Sequence, residues 1–344
     1  MPNQADDLFP RQHNLSIVLA FRWRCAAQLL AELQRVPVGN GALFGGEHIV
    51  PSKPLLLLTD PAHFEVSYRI NPWMQPRAWA EDPAGYLAAA RRSFQALATA
   101  LSAAGARLEI MPGVADLPDM VFPANAAVVL DRRALVARFR HPERQREEQH
   151  FQERFRAPMG CGFLLEEVAQ FPATCFQEGA GDCIWDATRG RFWAGYGQRS
   201  TRQAADEVAT FFGQEVTALE LVSPRFYHLD VCFCPLSGGE ILYYPPALSA
   251  ASLTAIRDVV APEDLIEATD EDAARFNVNA VNIDDRLVMA RASPHLVARL
   301  AERGYCVSEV DLLPFIMSGG GAYCMTLRLD RRSIEADALR LAAE

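Results

Sequence analysis

Cys183-Ile184-Trp185-Asp186 is followed, after a short break ending at Gly190, by Arg191-Phe192-Trp193-Ala194-Gly195 and then by a helical run from Thr201 to Phe212. The two apolar, aromatic-rich runs read as strands and the break between them as a turn. The same order returns as Val231 to Pro235, Glu240 to Tyr244 and a helix from Ser249 to Val260. It returns once more as Ala280 to Asp284, Arg286 to Ala290 and a helix from Pro294 to Arg303. Upstream, Ala126 to Leu130 and Leu135 to Phe139 suit a hairpin across Asp131-Arg132-Arg133, followed by a charged, exposed helix from Pro142 to Arg156. Leu55-Leu56-Leu57-Leu58-Thr59 reads as a buried strand, Pro83 to Leu101 as a helix and Arg107 to Ile110 as a strand. Each unit is two strands, a helix and another strand, so the chain is α/β with an internal structural repeat. No low-complexity linker divides Pro54 to Asp330. The reading is an extension at 1–50, one folded domain at 51–335 and a tail at 336–344.

Composition narrows the partners. The 344 residues are 50% hydrophobic and 22% charged, enough for a full core. A formal net charge of -10 argues against a nucleic-acid partner and mildly favours cationic ligands. Eight cysteines (25, 161, 175, 183, 232, 234, 306 and 324) show no repeated CxxC spacing. They read as reduced thiols in a cytosol, with neither a disulfide scaffold nor a zinc site. Cys232 and Cys234 alternate like strand residues, which puts both on one face as core packing. Leu15 to Leu33 is broken by Arg22, Arg24 and Cys25, too polar to span a bilayer, and Asp6 and Asp7 make it a poor signal peptide. A cytoplasmic protein without membrane contact is expected, and whether it forms a homo-oligomer is left open.

Four segments carry chemistry. Ser318-Gly319-Gly320-Gly321-Ala322-Tyr323-Cys324 places a thiol directly after three glycines, which allow backbone conformations and close approaches closed to other residues. Such a thiol is positioned to be a nucleophile; the plain alternative is a buried core cysteine. In Phe226-Tyr227-His228-Leu229-Asp230, a strand would turn His228 and Asp230 to one face, and a histidine near neutrality can both give and take protons. A core histidine with a carboxylate partner would look alike. Glu178-Gly179-Ala180-Gly181-Asp182 offers two carboxylates as an anionic wall for a cation, or a simple acidic turn. Asp119 and Asn125 flank the short apolar stretch Met120 to Ala124, six residues apart, so as strand residues they would face one cavity. Turn chemistry after Pro118 is the competing account.

Read in order, these segments resemble the guanidine-modifying enzyme, or amidinotransferase, superfamily over roughly Pro54 to Leu329. Phe64-Glu65-Val66-Ser67-Tyr68-Arg69-Ile70-Asn71-Pro72-Trp73-Met74 resembles its arginine dihydrolase and dimethylargininase-like branch. The resemblance implies a five-bladed α/β propeller of pseudo-fivefold ββαβ units, agreeing with the repeat. It implies Cys324 as nucleophile, His228 as general acid/base, Asp230 with Glu178 or Asp182 holding the guanidinium, and Asp119 in contact with substrate. Arg199 would bind the substrate carboxylate and Asn71 would contribute at the entrance. Three departures stand out: Met317 where relatives often carry lysine, the four-residue spacing of Glu178 and Asp182, and Asn125 where deiminases and dimethylargininases carry aspartate. The dihydrolase branch shares that asparagine.

The chemistry so implied is attack of Cys324 on a planar, cationic guanidinium carbon, an amidino-thioether, and hydrolysis, with no metal or organic cofactor. An asparagine amide donates as well as accepts, which suits a neutral ureido oxygen. Asn125 therefore points to a second hydrolysis giving ornithine, ammonia and carbon dioxide. Single-step deimination, dimethylargininase activity, amidinotransfer to an amine, and a non-catalytic propeller serving as a binding module are the competing expectations.

Overall fold

The leucine run forms β1 (Leu55–Thr59), all five residues of which are buried. The computed structural model describes residues 53–160 and 162–333; the readings of the 1–50 extension, Cys25, Cys161 and the 336–344 tail lie outside them. β1 pairs in parallel with β2 (Arg107–Met111) through the helix Pro83–Ala103. Asp82 caps that helix by accepting the Gly85 N–H, and Pro83 occupies its first turn, where a missing N–H costs nothing. Ala90, Phe94, Leu97 and Leu101 recur at helical spacing and are buried. Each leucine so buried is worth about 1.5–3 kcal/mol.

Four further sheets repeat this plan. They are β3 (Ala127–Leu130), β4 (Arg133–Val136) and β5 (Glu167–Gln170); then β6 (Cys183–Asp186), β7 (Arg191–Tyr196) and β8 (Glu215–Glu220). After them come β9 (Phe233–Pro235), β10 (Ile241–Tyr243) and β11 (Leu265–Glu267); then β12 (Val281–Ile283), β13 (Arg286–Ala290) and β14 (Cys306–Val310). In each, the first strand is antiparallel to the central one and the third is parallel to it. A helix bridges the parallel pair, as that connection requires. The first sheet gains its antiparallel member from far down the chain: β15 (Leu327–Arg328) pairs with β1, Leu327 opposite Leu57. The described residues thus make five small ββαβ-like units, and none of their helices is long and apolar enough to cross a membrane.

Local chemistry departs from the sequence reading in five places. The hairpin loop is only Asp131-Arg132, both at positive φ (52° and 60°), so β4 starts at Arg133 and not at Leu135. Two left-handed residues match the twist of a two-residue hairpin, and Asp131 is held there by Ser333 N–H on its carboxylate. The helix expected over 142–156 is two helices, Pro142–Gln145 and Glu147–Arg156, and it is not exposed throughout. Arg144 and Glu147 are buried because they neutralise one another. Neither 226–230 nor 119–125 is a strand. Leu229–Val231, Pro118–Val121 and Pro123–Ala126 are single 3-10 turns, the latter two opened by proline. Cys232 precedes β9 and packs in a different hydrophobic cluster from Cys234, so the two thiols do not share a face. Both are free thiols, as are Cys175, Cys183 and Cys324.

Candidate active site

The three glycines are close-packed against protein. A Cβ on Gly319, whose φ is +92°, would lie 2.7 Å from the Tyr227 hydroxyl, and one on Gly320 would lie 2.2 Å from the Phe122 ring. A Cβ on Gly321 would lie 2.7 Å from Asn279 Oδ1. Their absence lets the chain run through a gap between three neighbours and deliver Cys324 to a pocket. Ile70, Asn71, Asp119, Phe122, Asn125, Arg144, Arg199, Tyr227, Ser318, Gly319, Gly320 and Cys324 line that pocket.

Cys324 is 3% exposed. Its Sγ is 3.1 Å from Asp230 Oδ2 and 3.1 Å from Asn279 Nδ2. Burial, and next the Asp230 charge, push the thiol well above its ordinary value. Burial likewise lifts Asp230 to about 7, against the hydrogen bonds from Cys324 and Asn279. The contact at 3.1 Å is thus a hydrogen bond from the thiol to the Asp230 carboxyl. Among the described residues Asp230 Oδ1 is buried without a hydrogen-bond partner, which leaves an acceptor open to a ligand's donor.

His228 Nε2 lies 2.7 Å from Glu178 Oε2, and Arg199 Nη1 donates to the same oxygen at 2.8 Å. The other Glu178 oxygen accepts the Arg140 N–H at 3.2 Å. Burial alone would raise Glu178, but the Arg199 guanidinium and the His228 hydrogen bond outweigh it and hold the carboxyl well below its usual range. Burial depresses His228 to about 4 although Glu178 opposes it, so the ring is neutral at rest. With Nε2–H on Glu178, Nδ1 carries the lone pair and faces Asn125 Nδ2 at 3.5 Å.

Asp182 stands apart from this group. Its carboxylate accepts Ser200 Oγ at 2.6 Å and the Leu229 N–H at 3.0 Å. Of the two carboxylates left open by the sequence, Glu178 touches His228. Asp182 instead anchors the backbone beside it, because the helical turn Gly179–Asp182 sends the two side chains apart.

The remaining residues meet at the pocket wall. Asp119 accepts Tyr68 OH at 2.9 Å and Ser318 Oγ at 3.2 Å, and burial raises its carboxyl against the nearby Arg144 charge. Asn71 Nδ2 donates to Ser318 O at 3.0 Å while its Oδ1 accepts the Trp73 and Met74 N–H groups, which ties the 64–74 segment to the glycine loop. Arg199 also donates to Ile70 O at 3.1 Å and stacks over Tyr227. Arg144 was not singled out by the sequence. It binds Glu147 through Nε and Nη2, donates from Nη2 to Asp119 O, and donates from Nη1 to Asn125 Oδ1 at 2.8 Å. That last bond fixes the Asn125 amide with its NH2 towards His228 and Glu178 O. The signal for Arg144 was the Arg-x-x-Glu spacing within a helical stretch. Asn279 was missed too and had no comparable signal.

A buried thiol with an acceptor and a donor at its sulfur, a neutral imidazole backed by an ionised glutamate, and an orphaned carboxylate oxygen can together bind a cationic carbon electrophile, attack it and move protons. The family model for eukaryotic N,N dimethylarginine dimethylhydrolase matches residues 60–331. The chain is 39% identical over 274 residues to the bifunctional arginine dihydrolase/ornithine cyclodeaminase ArgZ of Synechocystis sp., covering 80% of this chain and 37% of that one. It is 33% identical over 274 residues to the N(G),N(G)-dimethylarginine dimethylaminohydrolase of Mycobacterium tuberculosis, covering 79% and 84%. The chain spans under two fifths of the bifunctional relatives, 37% and 38% of their lengths. Among solved structures, the N-terminal domain of ArgZ, as a cysteine-to-serine variant bound to substrate, matches with a TM-score of 0.75 at 38% identity, over 81% of this chain and 99% of that one. A dimethylarginine dimethylaminohydrolase adduct, 21% identical with a TM-score of 0.62 over 80% and 100%, shares the fold.

Proposed function

The chain belongs to the N,N-dimethylarginine dimethylhydrolase family, and we propose that it hydrolyses the guanidinium group of arginine through a covalent amidino-thioether on Cys324, in two rounds, to ornithine, ammonia and carbon dioxide. The observation that carries this reading is the sulfur of Cys324 between Asp230 and Asn279, in one pocket with Asn125, whose amide faces His228. That the relatives at 39% and 38% identity are bifunctional arginine dihydrolases supports the substrate.

The guanidinium binds against Asp230, using the oxygen that otherwise has no partner. Its positive charge next to the sulfur offsets what holds the thiol protonated, since an opposite charge within about 4–6 Å favours the ionised form. The S–H proton passes to His228, whose imidazolium is stabilised by Glu178. Cys324 attacks the central carbon, His228 returns the proton to the departing ammonia, and the neutral ring then takes a proton from the water that attacks the thioether carbon, whereupon the C–S bond breaks and the Cys324 sulfur leaves as the ureido product forms. Asn125 donates to the ureido oxygen so formed and retains it for the second round. Asp119 and Asn71 shape the pocket around the substrate. Arg199 offers its donors not spent on Glu178 and Ile70 to the substrate carboxylate, and Asp182 acts by fixing the backbone next to His228.

We further infer that the five units close into a five-bladed propeller and that residues 51–335 work as one catalytic domain; the pairing of β15 with β1 supports both. A cytoplasmic setting and a small cationic guanidino ligand complete the reading. A dimethylargininase is the second reading, favoured by the family description and the mycobacterial relative. Incubation with arginine and with dimethylarginine, followed by amino-acid analysis, separates them: ornithine from arginine is expected, and citrulline from dimethylarginine alone would replace the first reading by the second. Retained turnover by Cys324→Ser would remove both.

A further inference from the structure

Asn279 is wholly buried and comes from the stretch between the helical turn Asp270–Ala274 and β12, remote in sequence from the nucleophile loop. Its Oδ1 accepts the Tyr323 N–H at 2.9 Å and the Cys324 N–H at 3.2 Å. Its Nδ2 donates to Cys324 Sγ at 3.1 Å and to Asp230 O at 3.1 Å. An amide has two donor hydrogens and two acceptor lone pairs, so all four are used. Two backbone N–H groups on one side require oxygen there, which assigns the NH2 to the sulfur side. The close approach also accounts for Gly321, where a Cβ would meet Oδ1.

The sulfur therefore sits between an acceptor and a donor that act oppositely on ionisation. Loss of the thiol proton leaves Asp230 repelling the sulfur, whereas the Asn279 hydrogen bond gains strength because its acceptor becomes charged. We propose that Asn279 is a positioning residue that both aims Cys324 Sγ and stabilises its thiolate. The proposal rests on Cys324 being the nucleophile.

The test is the rate of Cys324 alkylation by iodoacetamide in the full chain without substrate, measured from pH 6 to 10 and localised by mass spectrometry. Asn279→Leu keeps bulk and removes the donor without adding charge. Asn279→Asp keeps the acceptor for the two backbone N–H groups and removes the donor. Both are expected to displace the plot of log rate against pH by about one unit to higher pH, a roughly tenfold slower reaction at fixed pH. kcat should fall with KM little changed. A purely structural clamp gives the opposite sign, because a loosened loop exposes the thiol and speeds alkylation. An Asn279→Leu plot that coincides with the parent or lies at lower pH overturns the proposal; should that variant fail to fold, the same result with Asn279→Asp does so. Turnover by Cys324→Ser would instead remove the nucleophile and leave the alkylation result standing.

Discussion

Exchanging Asn125 for aspartate replaces one NH2 by an oxygen, and the surroundings convert that into a change of product. Oδ1 would keep Arg144 Nη1, 2.8 Å away, and gain charge assistance. The other oxygen would face Glu178 O, 3.4 Å from the present nitrogen, and His228 Nδ1, 3.5 Å from it. Both are acceptors, so the new group has no donor there unless His228 is protonated. A unit charge at 3.5 Å interacts with the imidazolium by about 5 kcal/mol at an effective dielectric of 20. That would lift His228 from its depressed value, about 4, towards neutrality. The ureido oxygen would lose a hydrogen bond of about 1 kcal/mol and meet an anion, together about 2–4 kcal/mol against its retention. Release of citrulline before the second round would then gain roughly 30- to 1000-fold. Amino-acid analysis of a time course on arginine reads this directly: citrulline accumulates and ornithine falls to a few per cent. Ornithine at the parental rate with no citrulline would refute the role given to Asn125.

Glu178→Gln leaves Arg199 buried without a carboxylate and His228 without support for its charged form, so it should cost about 3–5 kcal/mol and roughly 10 °C in melting temperature. Turnover should drop about a hundredfold; a variant with parental melting and kcat would show that the shared oxygen matters to neither. His228 binds its proton less readily folded, at about 4, than unfolded, at about 6.5. Its contribution to stability is therefore complete above pH 6.5 and lost as pH falls towards 4, about 3 kcal/mol in all. Urea unfolding at pH 7 and pH 4 should show the gap between the parent and His228→Asn shrinking by that amount; a constant gap would mean that the ring is not held neutral.

The alternation of apolar runs and helices made the five units legible, because burial on a sheet face or helix stripe imposes a period on sequence. Leu55–Thr59 and Arg286–Ala290 fall where that period puts them. Where hydrogen bonds set the backbone, the period is silent. Leu229 is drawn out of a strand by its N–H on Asp182, and Asp131-Arg132 turns without any glycine. The Arg-x-x-Glu spacing signals a pair but not its burial, so Arg144 and Glu147 read as surface residues although each makes the other buriable. Cys324, His228 and Glu178 stood out by chemistry and neighbours. Asn279 did not, because an asparagine before an apolar strand, with Asn277 and Asn282 close by, carries no distinguishing mark until the glycine loop is seen lying on it.

Leu327, three residues past the thiol, reaches its sheet only by pairing with Leu57, nearly the whole domain away in sequence. A chain emerging during synthesis thus carries Asp230, His228 and Asn279 long before the sulfur they surround. Until β15 docks, the stretch that follows the glycine loop is not anchored to its sheet and the sulfur is not held between Asp230 and Asn279. Assembly of that centre therefore depends on a pairing between opposite ends of the described residues.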